Sequence, residues 1–392
     1  MEKTDSALPD LRLDAWLLEH VCGFWATRIV DGRGGFFEKL DAVGKPITTV
    51  NRGVLTQARL TYVFSHAYVL SRDEKLLHAA EHGFDFLFQT SPGAESEDGW
   101  PHISTSDGQV VDESRDAYDH AFIIFSMAWY YRATGKQQAI SLAEGAYGYM
   151  EKYLTDALNG GFFEEGGVQK LPRRQNPHMH LLEATLAMYD TTKLDYWLER
   201  SNRLVALFEN QFFDYDSGSL GEFFNENWSP APGHAGEWRE PGHLFEWVWL
   251  LFEYHRLSGE ERVIPLADRL FQFATRFGID TRGPLSGFVF NGVDRRGNLL
   301  EDAKLLWPQT EYIKANVARA RWLGDEAAGQ MALAHLKQMR EHYFKMDGAT
   351  WYNELSRTGE PLNDETPARI LYHVFLAVAE TMKLPSVGIT DP

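Results

Sequence analysis

The sequence holds a single cysteine, Cys22. One thiol forms no intrachain disulfide and builds no cysteine-rich zinc site. Basic residues are also scarce: 38 Lys and Arg stand against 56 Asp and Glu, for a net charge of −18. Such a polyanion repels phosphate backbones and acidic headgroups, which argues against nucleic acid and membrane surfaces as partners. No apolar run reaches the roughly 20 residues that span a bilayer. Residues 1–10 are polar and carry no signal-like apolar stretch, so a cytoplasmic location is the expectation. No low-complexity linker divides the chain.

Aromatic residues, by contrast, are plentiful: 12 Trp, 16 Tyr and 25 Phe. Most serve a core, and ring faces also meet sugar C–H groups in carbohydrate pockets. They mark a repeat. A glycine followed by aromatics recurs as Gly35-Phe36-Phe37, Gly99-Trp100, Gly161-Phe162-Phe163, Gly221 with Phe223-Phe224, Gly287-Phe288 and Gly348 with Trp351-Tyr352. The leading glycines are 64, 62, 60, 66 and 61 residues apart. Turn residues follow several of them, as in Ser106-Asp107-Gly108 and Asp294-Arg295-Arg296-Gly297-Asn298, which predicts β-hairpins or extended loops. Between these lie paired helical stretches, for example 116–132 with 137–153, 177–189 with 194–212, and 242–257 with 260–277. One pair cannot bury its apolar face alone, whereas six close into a toroid of inner and outer helices. The prediction is an all-α fold with short hairpins or loops at one end. It forms a single toroidal domain over residues 1–392, which overrides the two or three domains that length alone suggests.

One helix of each later copy is predicted to begin with a proline: Pro177, Pro241, Pro308 and Pro367, placed 16, 20, 21 and 19 residues after their glycines. Proline suits a helix start because the N–H it lacks has no partner there. Asn176 and Thr366 precede two of them as good N-caps. Unusual polar residues cluster just inside these starts: His178 and His180, His243 with Glu246, Glu311, and His373. Arg59, Tyr118 and His120 fall at matching depths in the earlier copies. Any one such histidine reads as a surface or capping residue, but His180, His243 and His373 at equivalent positions read as one cavity. His178 and His180 stand two apart, so they diverge on a helix. No third ligand is evident, and no metal is expected. Arg173 and Arg174 read as a solvated loop pair, with a clamp for phosphate or sugar hydroxyls as the alternative.

Histidine titrates near ~6.5, so it can take a proton in one step and return it in the next. Two facing rings supply one base and one acid, and their repulsion helps keep one neutral. Glu246, one turn after His243, is placed to hydrogen-bond that ring and set its tautomer. Arg59 is suited to polarise a sugar carbonyl or hydroxyl and to stabilise an enediolate. These parts fit proton abstraction beside a carbonyl, which for an open-chain sugar means C2 epimerisation or aldose–ketose isomerisation.

Several segments together resemble the N-acylglucosamine 2-epimerase family. They are Thr56-Gln57-Ala58-Arg59, Asn176-Pro177-His178-Met179-His180-Leu181-Leu182-Glu183-Ala184, Glu240-Pro241-Gly242-His243-Leu244-Phe245-Glu246-Trp247, Trp307-Pro308-Gln309-Thr310-Glu311, Trp351-Tyr352-Asn353-Glu354 and Leu371-Tyr372-His373. The Glu-Pro-Gly-His-x-x-Glu-Trp segment is the most specific. The resemblance implies an (α/α)6 barrel with no obligatory cofactor and a catalytic pair at His243 and His373. It implies that His180 aids ring opening or substrate binding, and that Arg59, Tyr118, Glu246, Trp307, Glu311 and Trp351 hold the substrate. The Asn-Pro-His-Met-His segment is more similar to the bacterial D-mannose isomerase branch than to the N-acetylhexosamine epimerases. The stretch Asp364-Glu365-Thr366-Pro367 departs from the Lys- and Gly-rich sequence usual before the last histidine in the epimerases, which bears on the far end of the substrate.

The expectation is therefore a sugar isomerase interconverting D-mannose, or a related sugar, and D-fructose through an enediol, as a monomer or homodimer. The partner is a small monosaccharide. A 2-epimerase of N-acylglucosamine or cellobiose type is the alternative. A glycoside hydrolase would need two carboxylates across the scissile bond, with Asp116 or Asp119 and Glu311 as candidates. A non-catalytic sugar- or partner-binding module is the third reading. Which histidine is base and which is acid depends on the handedness of the substrate at C2.

Overall fold

The computed structural model describes residues 12–49, 51–91, 98–165 and 170–385. Residues 1–10, read above for a targeting signal, lie outside that set. Helix α1 runs continuously through Leu13–Ala15, the π-helical turn Trp16–Cys22 and Gly23–Arg28. The other helices of the barrel are α2 (Val54–Ser71), α3 (Glu74–Gln89), α4 (Ala117–Thr134), α5 (Gln137–Tyr149), α6 (Asn176–Thr192) and α7 (Asp195–Leu207). They continue with α8 (Pro241–Ser258), α9 (Ile264–Gly278), α10 (Leu306–Leu323), α11 (Glu326–Tyr343) and α12 (Leu371–Thr381). The even-numbered helices are the inner ring, and each packs on the next. They are buried on nearly every face, as an all-round apolar helix must be. The outer helices bury a single stripe, such as Ala267, Leu270, Phe273 and Ala274 of α9. Helix α1 takes the remaining outer position, where the Trp16 and Trp25 indoles donate to the carbonyls of Gly348 and Ala349. The architecture is an (α/α)6 barrel.

The two ends of the barrel differ because the connections differ. Inner helices pass to outer ones through tight turns, with left-handed residues at Arg72, Gly135, Lys193, Gly259 and Gly324. Outer helices return to inner ones through the hairpins that carry the repeat glycines. In each copy the strand just before the inner helix pairs with the hairpin of the next copy. Residues 51–53 pair with 103–105, 173–174 with 223–224, 238–239 with 293–294, and 304–305 with 354–355. Asp116 bridges Glu165 in the same way. The last such pairing, Lys39 with Pro367 and Leu40 with Thr366, joins the sixth copy to the first.

A second device fixes the hairpins. The N–H of Phe36 donates to Gln57 Oε1, that of Trp100 to His120 Nε2, that of Phe162 to His178 Nε2, and that of Val289 to Gln309 Oε1. A Cβ on Gly99 or Gly161 would stand 2.7 or 2.8 Å from its clamping imidazole, and both residues have positive φ, so only glycine fits. His120 and His178 are thus structural. Burial lowers their basicity to about 4 and about 3, which keeps the rings neutral and able to accept.

Three helix starts differ from the sequence prediction. Helix α10 begins at Leu306, so Pro308 is its third residue. Pro241 is the first residue of α8, but Pro367 lies in a strand, and α12 begins at Leu371 after a 3-10 turn. Ring closure claims Thr366 and Pro367 for backbone pairing. The Thr366 hydroxyl donates to the Trp351 carbonyl instead of capping a helix. Asn176 likewise is already the first residue of α6, with Gln175 at the cap position.

Candidate active site

The hairpin end opens into a cavity of about 510 Å³ at the barrel axis, within the range of about 300–1,000 Å³ typical of small-molecule sites. Arg59, Tyr118, His180, His243, Glu246, Trp307 and His373 all line it. Each lies in the first turns of an inner helix, so the inner ring aims six short segments at one space. The Trp307 ring sits between two imidazoles, with centroids 4.9 Å from His243 and 5.9 Å from His373.

The three histidines have different surroundings. His243 Nδ1 lies 3.0 Å from Glu222 Oε2 and 3.3 Å from Glu240 Oε2. Burial alone would discharge this ring, but Glu222 and Glu240, with Glu246 behind them, push its pKa up to about 10. His243 is therefore an imidazolium at neutral pH. His373 Nδ1 lies 2.9 Å from Glu311 Oε1. Burial, reinforced by Arg59 and Lys314, holds its pKa well below the ordinary value, and the ring is neutral. His180 is also neutral, lowered to about 3 by burial; its Nδ1 faces Glu183 Oε2 at 3.1 Å.

Arg59 is held from three directions. Its Nη2 donates to the Tyr118 hydroxyl at 2.8 Å, its Nη1 to the Arg369 carbonyl at 3.4 Å, and the guanidinium lies over the Phe122 ring at 4.2 Å. Glu246 is buried, and neither of its oxygens has a hydrogen bond. They are open acceptors on the cavity, as are Glu222 Oε1 and Asn176 Oδ1. Beneath it, Lys314 is fully buried, 2.5 Å from Glu311 Oε2 and 3.7 Å from Glu246 Oε1.

Four sequence expectations are corrected. Trp351 does not line the cavity: it is buried in the wall, stacked on Trp25 at 5.0 Å. Glu311 is fully buried under the cavity and reaches it only through His373. That also removes the carboxylate pair on which a hydrolase reading rested. Glu246 does not bond His243, whose Nδ1 turns to the hairpin residue Glu222 and the helix-start residue Glu240; its nearest ring is His180, at 3.9 Å. Arg173 and Arg174 are no solvated pair. Arg173 is buried against Asp156 and over the Trp228 ring, and Arg174 lines the cavity with its Nε on Glu164.

The residues that sequence reasoning missed are mostly carboxylates and the cation among them. Glu222 carried a signal: it follows the repeat glycine directly, where most other copies place an aromatic ring. Glu183, which also accepts from the Tyr372 hydroxyl at 2.5 Å, and Lys314 are charged residues at buried helix positions. His102 and Asp119 pair at 2.6 Å on the rim; the Asp119 bond raises His102 to about 9. Among the described residues, three His–carboxylate groups have atoms close enough to share a cation: His180 with Glu183 and Glu246, Glu246 with Glu311 and His373, and Glu222 with Glu240 and His243. Lys314 already stands between Glu311 and Glu246, and the His243 ring carries its own charge. These groups are read as histidine–carboxylate pairs and not as metal ligands.

The fold and the cavity at its axis place the chain among (α/α)6-barrel enzymes, and it is similar to sugar isomerases and epimerases. The profile of the N-acylglucosamine 2-epimerase family matches residues 35–377. The chain is 29% identical to a mannose-6-phosphate isomerase of Rhizobium meliloti, over 94% of this chain and 95% of that one. It is 25% identical to a D-mannose isomerase of Marinomonas mediterranea, over 93% and 95%. A crystal structure of D-mannose isomerase superposes with a TM-score of 0.84 at 22% identity, covering 98% of this chain and 100% of the other. The chain belongs to the N-acylglucosamine 2-epimerase family and is an enzyme of the isomerase class. Among the described residues, no helix is long and apolar enough to cross a membrane.

Proposed function

We propose that this chain is a cofactor-independent isomerase that interconverts D-mannose, or a closely related aldose, with D-fructose through a cis-enediol. The observation that carries the reading is that two imidazoles on one cavity have unequal surroundings: His243 Nδ1 lies against Glu222 and Glu240, which favour a charged ring, while His373 Nδ1 lies against Glu311, itself paired to Lys314, which leaves a neutral ring. Environments that push two titratable groups apart mark an acid and a base. His373, neutral with Nδ1 toward a carboxylate, keeps a lone pair on Nε2 and is the base. His243, charged, is the acid.

The pyranose ring opens first: neutral His180 accepts the anomeric hydroxyl proton as the C1–O1 double bond forms and C1–O5 breaks, and the proton is then returned to O5, which becomes a hydroxyl. His373 then takes the C2 proton, the C–H electrons form the C1–C2 double bond, and His243 protonates O1. In the second half His373 returns its proton to C1, and His243 recovers one from the O2 hydroxyl, leaving the C2 ketone. Arg59 holds the O1–O2 edge, where negative charge grows. Glu246 accepts from substrate hydroxyls, and Trp307 gives a flat apolar face to sugar C–H groups.

A 2-epimerase is the second reading. Trp307 bridges both rings, so His243 is also placed to return a proton to C2 from the opposite face. Proton NMR with D-mannose in D2O separates the two. Fructose, with deuterium gained at a substrate carbon, is expected. Glucose without early fructose would move the assignment to the epimerase. No change with mannose, its 6-phosphate, glucosamine derivatives or cellobiose would overturn the sugar reading. The six helix pairs are also read as one cooperative unit, supported by the pairing of residues 39–40 with 366–367.

A further inference from the structure

The cavity floor holds one buried group that the reaction scheme leaves unused. Lys314 lies on α10, one turn below Glu311, and is fully buried. The Trp249 ring lies 4.2 Å from its ammonium. Glu311 stands 2.5 Å away and Glu246, from α8, at 3.7 Å. Glu183 of α6 acts on it electrostatically. The other charged or titratable groups packed on this floor are Arg59 from α2, His180 from α6, His243 from α8, and Tyr372 and His373 from α12.

Glu311 divides its two oxygens between two neighbours. Oε1 faces His373 Nδ1 and Oε2 faces Lys314. Burial and Glu246 push the Glu311 carboxyl upward, and Lys314 is the first group that opposes them. The outcome decides which nitrogen of His373 bears the proton. An ionised Glu311 only accepts, so the ring must present Nδ1–H and keep its lone pair on Nε2. A neutral Glu311 would donate to Nδ1. The proton would then sit on Nε2, toward the substrate, where no base would remain. A neutral Glu311 would also leave a buried ammonium without its nearest counter-charge, which is costly.

We propose that Lys314 is a positioning residue: by holding Glu311 ionised, it fixes the His373 proton on Nδ1 and leaves Nε2 free to accept a proton from the substrate. This deepens the isomerase reading, since the base it prepares is the one that reading uses. It is nevertheless testable without any substrate.

The test is nitrogen-15 NMR of histidine-labelled protein at neutral pH, with the His373 signals identified by their loss in H373Q. In the wild type, His373 is expected as a neutral ring with Nδ1–H. An Nε2–H or doubly protonated ring would overturn the proposal whatever the substrate proves to be. In Lys314→Met the Nδ1–H signature should be lost. There kcat should fall by about 10²-fold, in the range of a lost general base, with KM within about threefold. Lys314→Gln, of similar length and still polar, should behave alike and serves if the Met variant does not fold. A variant that keeps both the Nδ1–H ring and a wild-type kcat would refute the role. If the tautomer changes as expected but no sugar is turned over by the wild type, the isomerase reading fails and the positioning role stands.

Discussion

The two walls of the cavity carry the same side chain in opposite states. On one, His243 faces Glu222 and Glu240, with Glu246 behind, and is charged. On the other, His373 Nδ1 faces Glu311, with Glu246 also near, but Arg59 and Lys314 offset these carboxylates, so the ring is neutral. Both rings are buried to a similar degree, so desolvation does not distinguish them. The balance of carboxylates and cations around each ring sets its charge, and in the proposed reaction that charge makes one ring the acid and the other the base.

The most severe way to break the contrast is to remove either ring. H373Q and H243Q should each lower kcat by about 10²–10⁴-fold, measured by fructose formation from mannose, with the fold intact. A gentler route is pH. His373 must be neutral, so activity is lost as pH falls through its depressed pKa. His243 must be charged, so activity is lost as pH rises through about 10. The kcat/KM profile should be broad, and Glu222→Gln should draw its alkaline limb down by about 1–2 units, the loss of one charge-assisted bond. An unmoved limb would mean that Glu222 does not charge His243. A third change marks where the walls stop. Trp351→Ala should cost about 3–5 kcal/mol in a denaturant melt, as a buried tryptophan truncation does. KM should hardly change. The smallest effect is expected for Tyr118→Phe, which frees Arg59 from one hydrogen bond and should change kcat/KM by less than about tenfold.

Much of this was legible in the sequence. The glycine–aromatic period showed six copies because five of the six repeat glycines are left-handed, and in four hairpins an inner-helix side chain clamps the backbone beside the glycine. The depth of His180, His243 and His373 below the helix starts placed all three in one cavity. What stayed hidden depends on side-chain direction and on contacts across copies. His178 and His180 differ by two positions, yet one clamps Phe162 and the other faces the cavity. Glu222 lies 21 residues from His243, and Glu311 lies 62 from His373, so neither pairing shows as a local motif. Trp351 has the composition of a sugar platform, but the packing of α1 against its hairpin takes it for the wall.

The strand at residues 366–367 that seals the ring is followed within a few residues by His373. During synthesis, then, a ribosome that has released only the first five copies holds a chain whose cavity has one open side and lacks His373. Closure of the barrel and arrival of that ring come with the same short segment. Until that segment is made, the chain lacks the group that the proposed isomerisation uses as its base.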